Sequence, residues 1–271
     1  MIRRSHRLPD GRQLAWQETG SGPPLVLLHG WSLAGTAFLE LAGQLDGYRL
    51  LLPDLPGHGA SAPPALATLP ALADDLAAWL AAVAPGPCLL GGWSLGGMLA
   101  MELAARAGTP VERLVLLATT PRFTIAADWP HGLPAGQVQA LRRNLRTAFE
   151  ATLGAFFELA FVPGEADTAR LREIRALAVR PGGLPDRATA AALLGLLAEH
   201  DQRWLLPAVR CPALVLHGSL DRVTPVGAGR ALAAALPQGA LHELGSLGHA
   251  PFWTRPAEVG QAIREFCAWD R

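Results

Sequence analysis

Lysine is absent from this 271-residue chain. All 23 basic residues are arginine, and 23 acidic residues bring the formal net charge to zero. Without a charge excess there is no global pull toward nucleic acid or an anionic membrane, and neither is expected as a partner. Heavy use of Ala, Leu, Gly and Pro accompanies the missing lysine, a pattern of GC-rich coding that we read as compositional drift. Cysteine is scarce too. Cys88, Cys211 and Cys267 are odd in number, far apart and without a CxxC, which excludes a disulfide framework and a zinc site and leaves buried free thiols. No stretch reaches the roughly 18 uninterrupted apolar residues of a membrane span. The opening MIRRSHRLPDGRQLAW has no apolar run of signal-peptide length. A cytoplasmic protein, monomeric, is the expectation.

Half of the residues are hydrophobic, enough for a sizeable core. Short apolar runs (Leu25 to Leu28, Leu50 to Leu52, Cys88 to Leu90, Leu114 to Ala118, Leu214 to Leu216, Ala240 to Leu244) alternate with helix-length segments (Leu72 to Val83, Leu95 to Ala107, Gly227 to Leu236, Pro256 to Trp269). Continuous apolar strands separated by helices predict an α/β fold, a mostly parallel central sheet covered by helices on both faces. One stretch breaks the rhythm: between Pro121 and about Leu206 there is no strand signal, and helices are predicted over Arg142 to Phe161, Thr168 to Val179 and Ala188 to His200. The expected organisation is a core of residues 1–120 and 207–271 with a helical cap, 121–206, inserted after the sixth strand.

Gly92-Trp93-Ser94-Leu95-Gly96 is a G-x-S-x-G motif where a strand meets a helix, the setting of a nucleophile elbow. The sharp turn exposes the serine hydroxyl, and the flanking glycines leave room for it. A serine hydroxyl is a poor nucleophile without a base. His249 in GHAP, after the last strand, and Asp221 in HGSLDRVTP, after the preceding one, supply the chain order Ser, Asp, His that this arrangement requires. Both would emerge at carboxyl ends of parallel strands, where α/β sites lie. Ser94 is thus the expected nucleophile, His249 the general base and Asp221 its orienting acid. The backbone N–H groups of Leu95 and of Trp31, in the His29-Gly30-Trp31 loop, are the expected oxyanion donors. His29, His217, and Asp54 and His58 in DLPGHG read as scaffold. Asp201 is a weaker rival to Asp221, lying away from any strand end. No residue set has metal spacing and no phosphate-binding loop is present, so no cofactor or metal is expected.

LLHGWSL, DLPGHGAS, GWSLGG, HGSLDRVTP and GHAPFWTRPAE resemble the landmarks of the α/β-hydrolase superfamily, in their usual order along nearly the whole chain. More narrowly, HGW, GWSLGG, TPRF followed by DWP, and HAPF followed by RPAE resemble the pimeloyl-[acyl-carrier protein] methyl ester carboxylesterase family of biotin synthesis. That resemblance implies hydrolysis of the methyl ester on a carrier-bound pimeloyl chain, with an acyl-carrier protein as partner. It also implies substrate contacts at Trp31, Ser94, Leu95, His249 and the segment Phe157, Glu158, Leu159, Ala160, Phe161, where Phe161 replaces a polar residue. Cap arginines are implied to dock the acidic carrier. Arg170 matches well and Arg175 loosely. Two arginines expected just before Phe157 are missing, and Arg142, Arg143 and Arg146 upstream are candidates to replace them. The alternatives are a small-ester or lactone hydrolase with no carrier-linked substrate, and a non-catalytic ligand-binding homologue.

Overall fold

The computed structural model describes residues 1–178 and 183–268. Eight strands form one sheet: β1 (Ile2–Arg7), β2 (Gln13–Thr19), β3 (Pro24–Leu28), β4 (Arg49–Pro53), β5 (Cys88–Trp93), β6 (Val111–Leu117), β7 (Ala213–Gly218) and β8 (Gly239–Leu244). Their order is β1-β2-β4-β3-β5-β6-β7-β8. β2 runs antiparallel to both neighbours, and every pair from β4 to β8 is parallel. The helices are α1 (Leu39–Ala42), α2 (Leu69–Val83), α3 (Leu95–Ala104), α4 (Ala135–Thr147), α5 (Phe149–Glu158), α6 (Thr168–Ala178), α7 (Arg187–Glu199), α8 (Val226–Ala235), α9 (Pro251–Thr254) and α10 (Pro256–Ala268).

The apolar runs of the parallel strands are continuous because both faces of the sheet are buried. Val26, Leu28, Leu51, Leu90, Leu114, Leu116 and Val215 face a core formed with α2, α3 and α8. Alternate residues, Leu25, Leu27, Leu50, Leu52, Val115, Leu117 and Leu216, face a second core with α1, α9 and α10. The period of two along a strand sends neighbours to opposite faces. Helices α4 to α7 lie between β6 and β7. Val138, Leu145, Phe149, Leu153 and Leu193 from this block join the first core, and Phe157, Phe161 and Ile174 join the second. Cys88 and Cys267 are buried and Cys211 half-buried, and none of the three is in a disulfide.

Several local expectations are corrected. The segment predicted as one helix from Arg142 to Phe161 is two, α4 beginning at Ala135 and α5 ending at Glu158, broken at Ala148 where φ is −142° and ψ 62°. β1, which was not expected, carries no continuous apolar run because it is a largely exposed, arginine-bearing edge. Val179 and Trp269, with which two expected helices end, lie outside the described residues.

Candidate active site

The sharpest turn in the site lies between β5 and α3. Ser94 has φ 55° and ψ −117°, in the left-handed region that a non-glycine residue occupies only when its surroundings enforce it. The surroundings do. A Cβ on Gly92 would sit 2.2 Å from the Gly96 carbonyl oxygen, and one on Gly96 would sit 2.0 Å from the Leu28 carbonyl oxygen. Only hydrogen at these two positions lets strand, turn and helix close together, which is the physical content of G-x-S-x-G. The Ser94 carbonyl accepts hydrogen bonds from Gly97 N at 3.0 Å, Met98 N at 3.2 Å and the Thr119 hydroxyl at 2.7 Å, so the turn is fixed from three directions.

Asp221, just past β7, accepts from Val223 N at 2.7 Å and Thr224 N at 2.9 Å on Oδ1. Its Oδ2 takes His249 Nδ1 at 2.7 Å. Burial pushes the Asp221 carboxyl up, but the neighbouring His249 and His217 imidazoles outweigh it and hold the group well below the usual carboxylate range. A buried carboxylate this well satisfied stays ionised and fixes the Nδ1–H tautomer of His249, leaving Nε2 as the free ring nitrogen. His249 is itself anchored through its backbone: its N–H donates to Ala160 O at 2.7 Å and its carbonyl accepts from Trp93 Nε1 at 2.8 Å.

Ser94 and His249 line one pocket, walled mostly by aromatic and aliphatic side chains. Among the described residues no hydrogen bond joins the Ser94 hydroxyl to the imidazole. Such contacts are commonly loose without substrate and tighten when the reacting group binds.

The loop after β3 faces Ser94 across Gly30, where a Cβ would lie 3.3 Å from Ser94 Cβ. Trp31 lines the pocket, with its indole N–H held by Ala190 O at 3.0 Å and its ring edge-on to Phe156. Leu95 N, as the first residue of α3, has no intrahelical acceptor. Neutral histidines hold this loop. His58 Nε2 accepts Ser32 N at 3.2 Å, and His29 Nε2 accepts Leu55 N at 2.9 Å. Burial pushes His29 down to about 4, and burial with the neighbouring His29 pushes His58 down to about 3, so both stay acceptors at neutral pH. Asp54 binds Gly35 N at 2.9 Å and Ala60 N at 3.0 Å. Asp201 is engaged by Arg122 and Arg203, away from His249.

The model of the alpha/beta hydrolase fold family matches residues 23–256. The chain belongs to the α/β-hydrolase fold family. Among relatives, a protein of Chromobacterium violaceum named pimeloyl-[acyl-carrier protein] methyl ester esterase is 40% identical over 91% of this chain and 94% of its own. A protein of Nitrosomonas europaea with the same name is 37% identical over 89% and 94%. Among solved structures, a thermophilic esterase from Thermogutta terrifontis superposes with a TM-score of 0.82 at 30% identity, covering 99% of each chain.

In this α/β-hydrolase the implied cap segment divides. Phe157 and Ala160 line the pocket. Glu158 and Leu159 are exposed, and Phe161 is buried against Phe157 and Trp253 instead. Leu95 is buried and is not among the residues that line the pocket. Sequence reasoning did not single out Ser32, Leu153, Phe156 or Trp253, which also line the pocket. The only signal for Trp253 was the aromatic pair following His249-Ala250-Pro251.

The implied docking arginines are not equivalent. Arg170 is committed to the α/β-hydrolase core, donating Nη1 to Glu40 at 2.9 Å and Nη2 to Trp253 O at 2.7 Å. Arg175 pairs with Glu158 at 3.4 Å and Arg142 with Glu199 at 3.6 Å. Arg143 and Arg146, both exposed on α4, have no ion pair among the described residues. No helix there is long and apolar enough to cross a membrane.

Proposed function

We propose that this α/β-hydrolase is a serine carboxylesterase that hydrolyses the methyl ester of a pimeloyl chain carried on acyl-carrier protein, the step that the sequence resemblance assigns to biotin synthesis. The observation that carries the chemistry is a strained Ser94 sharing an apolar pocket with an imidazole locked by an ionised Asp221. The full-length likeness to esterases named for this substrate supports the choice of ester.

Ser94 Oγ attacks the ester carbonyl carbon and passes its proton to His249 Nε2. The carbonyl oxygen becomes an oxyanion received by the N–H groups of Trp31 and Leu95, a contribution of roughly 2.7–4 kcal/mol per donor in comparable sites. Asp221 holds the imidazolium. Collapse of the intermediate breaks the bond to the methoxy oxygen, which takes the His249 proton and leaves as methanol. Water, deprotonated by the same imidazole, then cleaves the acyl-Ser94 bond and releases the free carboxylic acid.

Residues 121–206 serve as the cap over a core of 1–120 and 207–271, and Phe157 and Ala160 contact the acyl chain. The acidic carrier docks on α4 through Arg143 and Arg146, with Arg142 and Arg175 able to exchange their present partners. The enzyme works as a cytoplasmic monomer. The test is to incubate the protein with pimeloyl-carrier methyl ester: free acid and methanol should form in equal amounts. No product beyond that of the Ser94→Ala variant would reject this substrate, and a lactone preferred over every linear ester would replace it.

A further inference from the structure

The pocket is apolar except for a few groups, and all but one of these already have work. The indole N–H groups of Trp31, Trp93 and Trp253 are each taken by a backbone carbonyl, of Ala190, His249 and Ala37 respectively. Ser94 and His249 belong to the reaction proposed above. That leaves Ser32. It lines the same pocket, it is 6% exposed, and its hydroxyl has no hydrogen-bond partner among the described residues. Its φ is 61°, a conformation in which glycine is at ease and an L side chain is strained. Its N–H is pinned by His58 at 3.2 Å, so the residue cannot drift from the site. A strained residue with a buried hydroxyl that has no protein partner is costly in the free protein. The cost is recovered if a ligand supplies the missing acceptor.

Resting on the esterase reading, we propose that the Ser32 hydroxyl is a third oxyanion donor. It follows Trp31 directly and lines the same pocket as Ser94, and the acceptor we assign to its O–H is an oxygen lodged between the Trp31 and Leu95 N–H groups. A neutral donor aimed at that oxygen binds the ester carbonyl weakly and the oxyanion strongly. Its effect therefore falls on the chemical step and not on binding. Ser32 is thus a catalytic residue of this chain outside the triad.

The variants Ser32→Ala and Ser32→Gly test this, Gly also relieving the strain so that folding is not at risk. With a p-nitrophenyl ester and with the carrier-linked methyl ester, kcat should fall about tenfold or more in both variants. KM should stay within about twofold of the original, and the melting temperature should be equal or higher. A kcat within about twofold of the original, a change confined to KM, or a loss of activity that follows a fall in melting temperature would overturn the assignment. Wild-type protein no faster than Ser94→Ala would overturn the esterase reading, and this inference with it.

Discussion

Gly248 N, one residue before His249, donates a 3.0 Å hydrogen bond to Oε2 of Glu165, which lies in the helical block between β6 and β7. The same oxygen accepts Val162 N at 3.0 Å, and Oε1 accepts the Thr254 hydroxyl at 2.7 Å. With Ala160 O receiving His249 N, the segment between α5 and α6 holds the histidine loop at several points. Replacing Glu165 by Ala orphans two N–H groups, that of Gly248 buried and that of Val162 part-buried. The expected loss is about 2–4 kcal/mol of stability, with kcat reduced as the imidazole loosens. Glu165→Gln keeps an oxygen for the two N–H groups and turns its NH₂ toward Thr254, so it should recover most of both. Thermal melts and kcat on one ester, measured for both variants, check this.

Asp221→Asn should lower kcat by about 10⁴-fold while leaving the fold in place. The Asn oxygen can still serve Val223 N and Thr224 N, but its NH₂ then faces His249 Nδ1 and selects the wrong tautomer, with the proton on Nε2. Esterase assays with circular dichroism on the same sample separate this from unfolding.

The elbow tolerates no added carbon. Gly92→Ala and Gly96→Ala drive a Cβ into backbone carbonyls, which cannot rotate away as a side chain would. Each should cost roughly 3 kcal/mol, measured by urea denaturation, and reduce activity beyond what the remaining folded fraction explains.

Acid should weaken the protein before its carboxylates protonate. His29 and His58 are neutral in the fold down to about 4 and about 3, whereas an unfolded imidazole titrates near 6.5. The unfolded chain therefore binds more protons below pH 6.5. Stability from these two residues is complete above that value and is lost progressively as pH falls toward 4. Two such groups give a slope approaching about 2.7 kcal/mol per pH unit near pH 5. Urea midpoints at pH 7.5, 6 and 5 measure it, and a flat response would mean that the loop after β3 is not held by neutral histidines.

Charge reversal of Arg143 and Arg146 together should raise KM for the carrier-linked ester about tenfold or more, with a steep salt dependence, and leave a small p-nitrophenyl ester unaffected. Arg170→Glu should instead lower stability, because its guanidinium ties α6 to Glu40 and to the Trp253 carbonyl. Steady-state kinetics on both substrates distinguishes docking from folding.

How much of this was legible in the sequence follows from which forces are local. The parallel strands announce themselves because burial on both faces demands unbroken apolar runs, as in Leu25 to Leu28. Ser94, Asp221 and His249 are legible because each stands at a strand end, and the order of strands fixes their order in the chain. β1 is not legible: its arginine-rich, largely exposed residues satisfy an antiparallel edge pairing with no apolar signature. The break between α4 and α5 falls at Ala148, a strong helix former, so tertiary packing and not propensity decides it. Ser32, Phe156, Glu165 and Trp253 acquire their roles only through contacts across the chain, which no spacing rule encodes. For the same reason the pairing of Arg170 with Glu40, 130 residues away, has no signature in the sequence.

The most direct test is to trap the covalent intermediate. Protein mixed briefly with pimeloyl-carrier methyl ester, quenched in acid and digested, should yield a peptide spanning Ser94 heavier by the acyl chain, absent from the Ser94→Ala variant, which should also be inactive. Turnover that persists in Ser94→Ala, with no acylated Ser94 peptide in the wild type, would contradict the account.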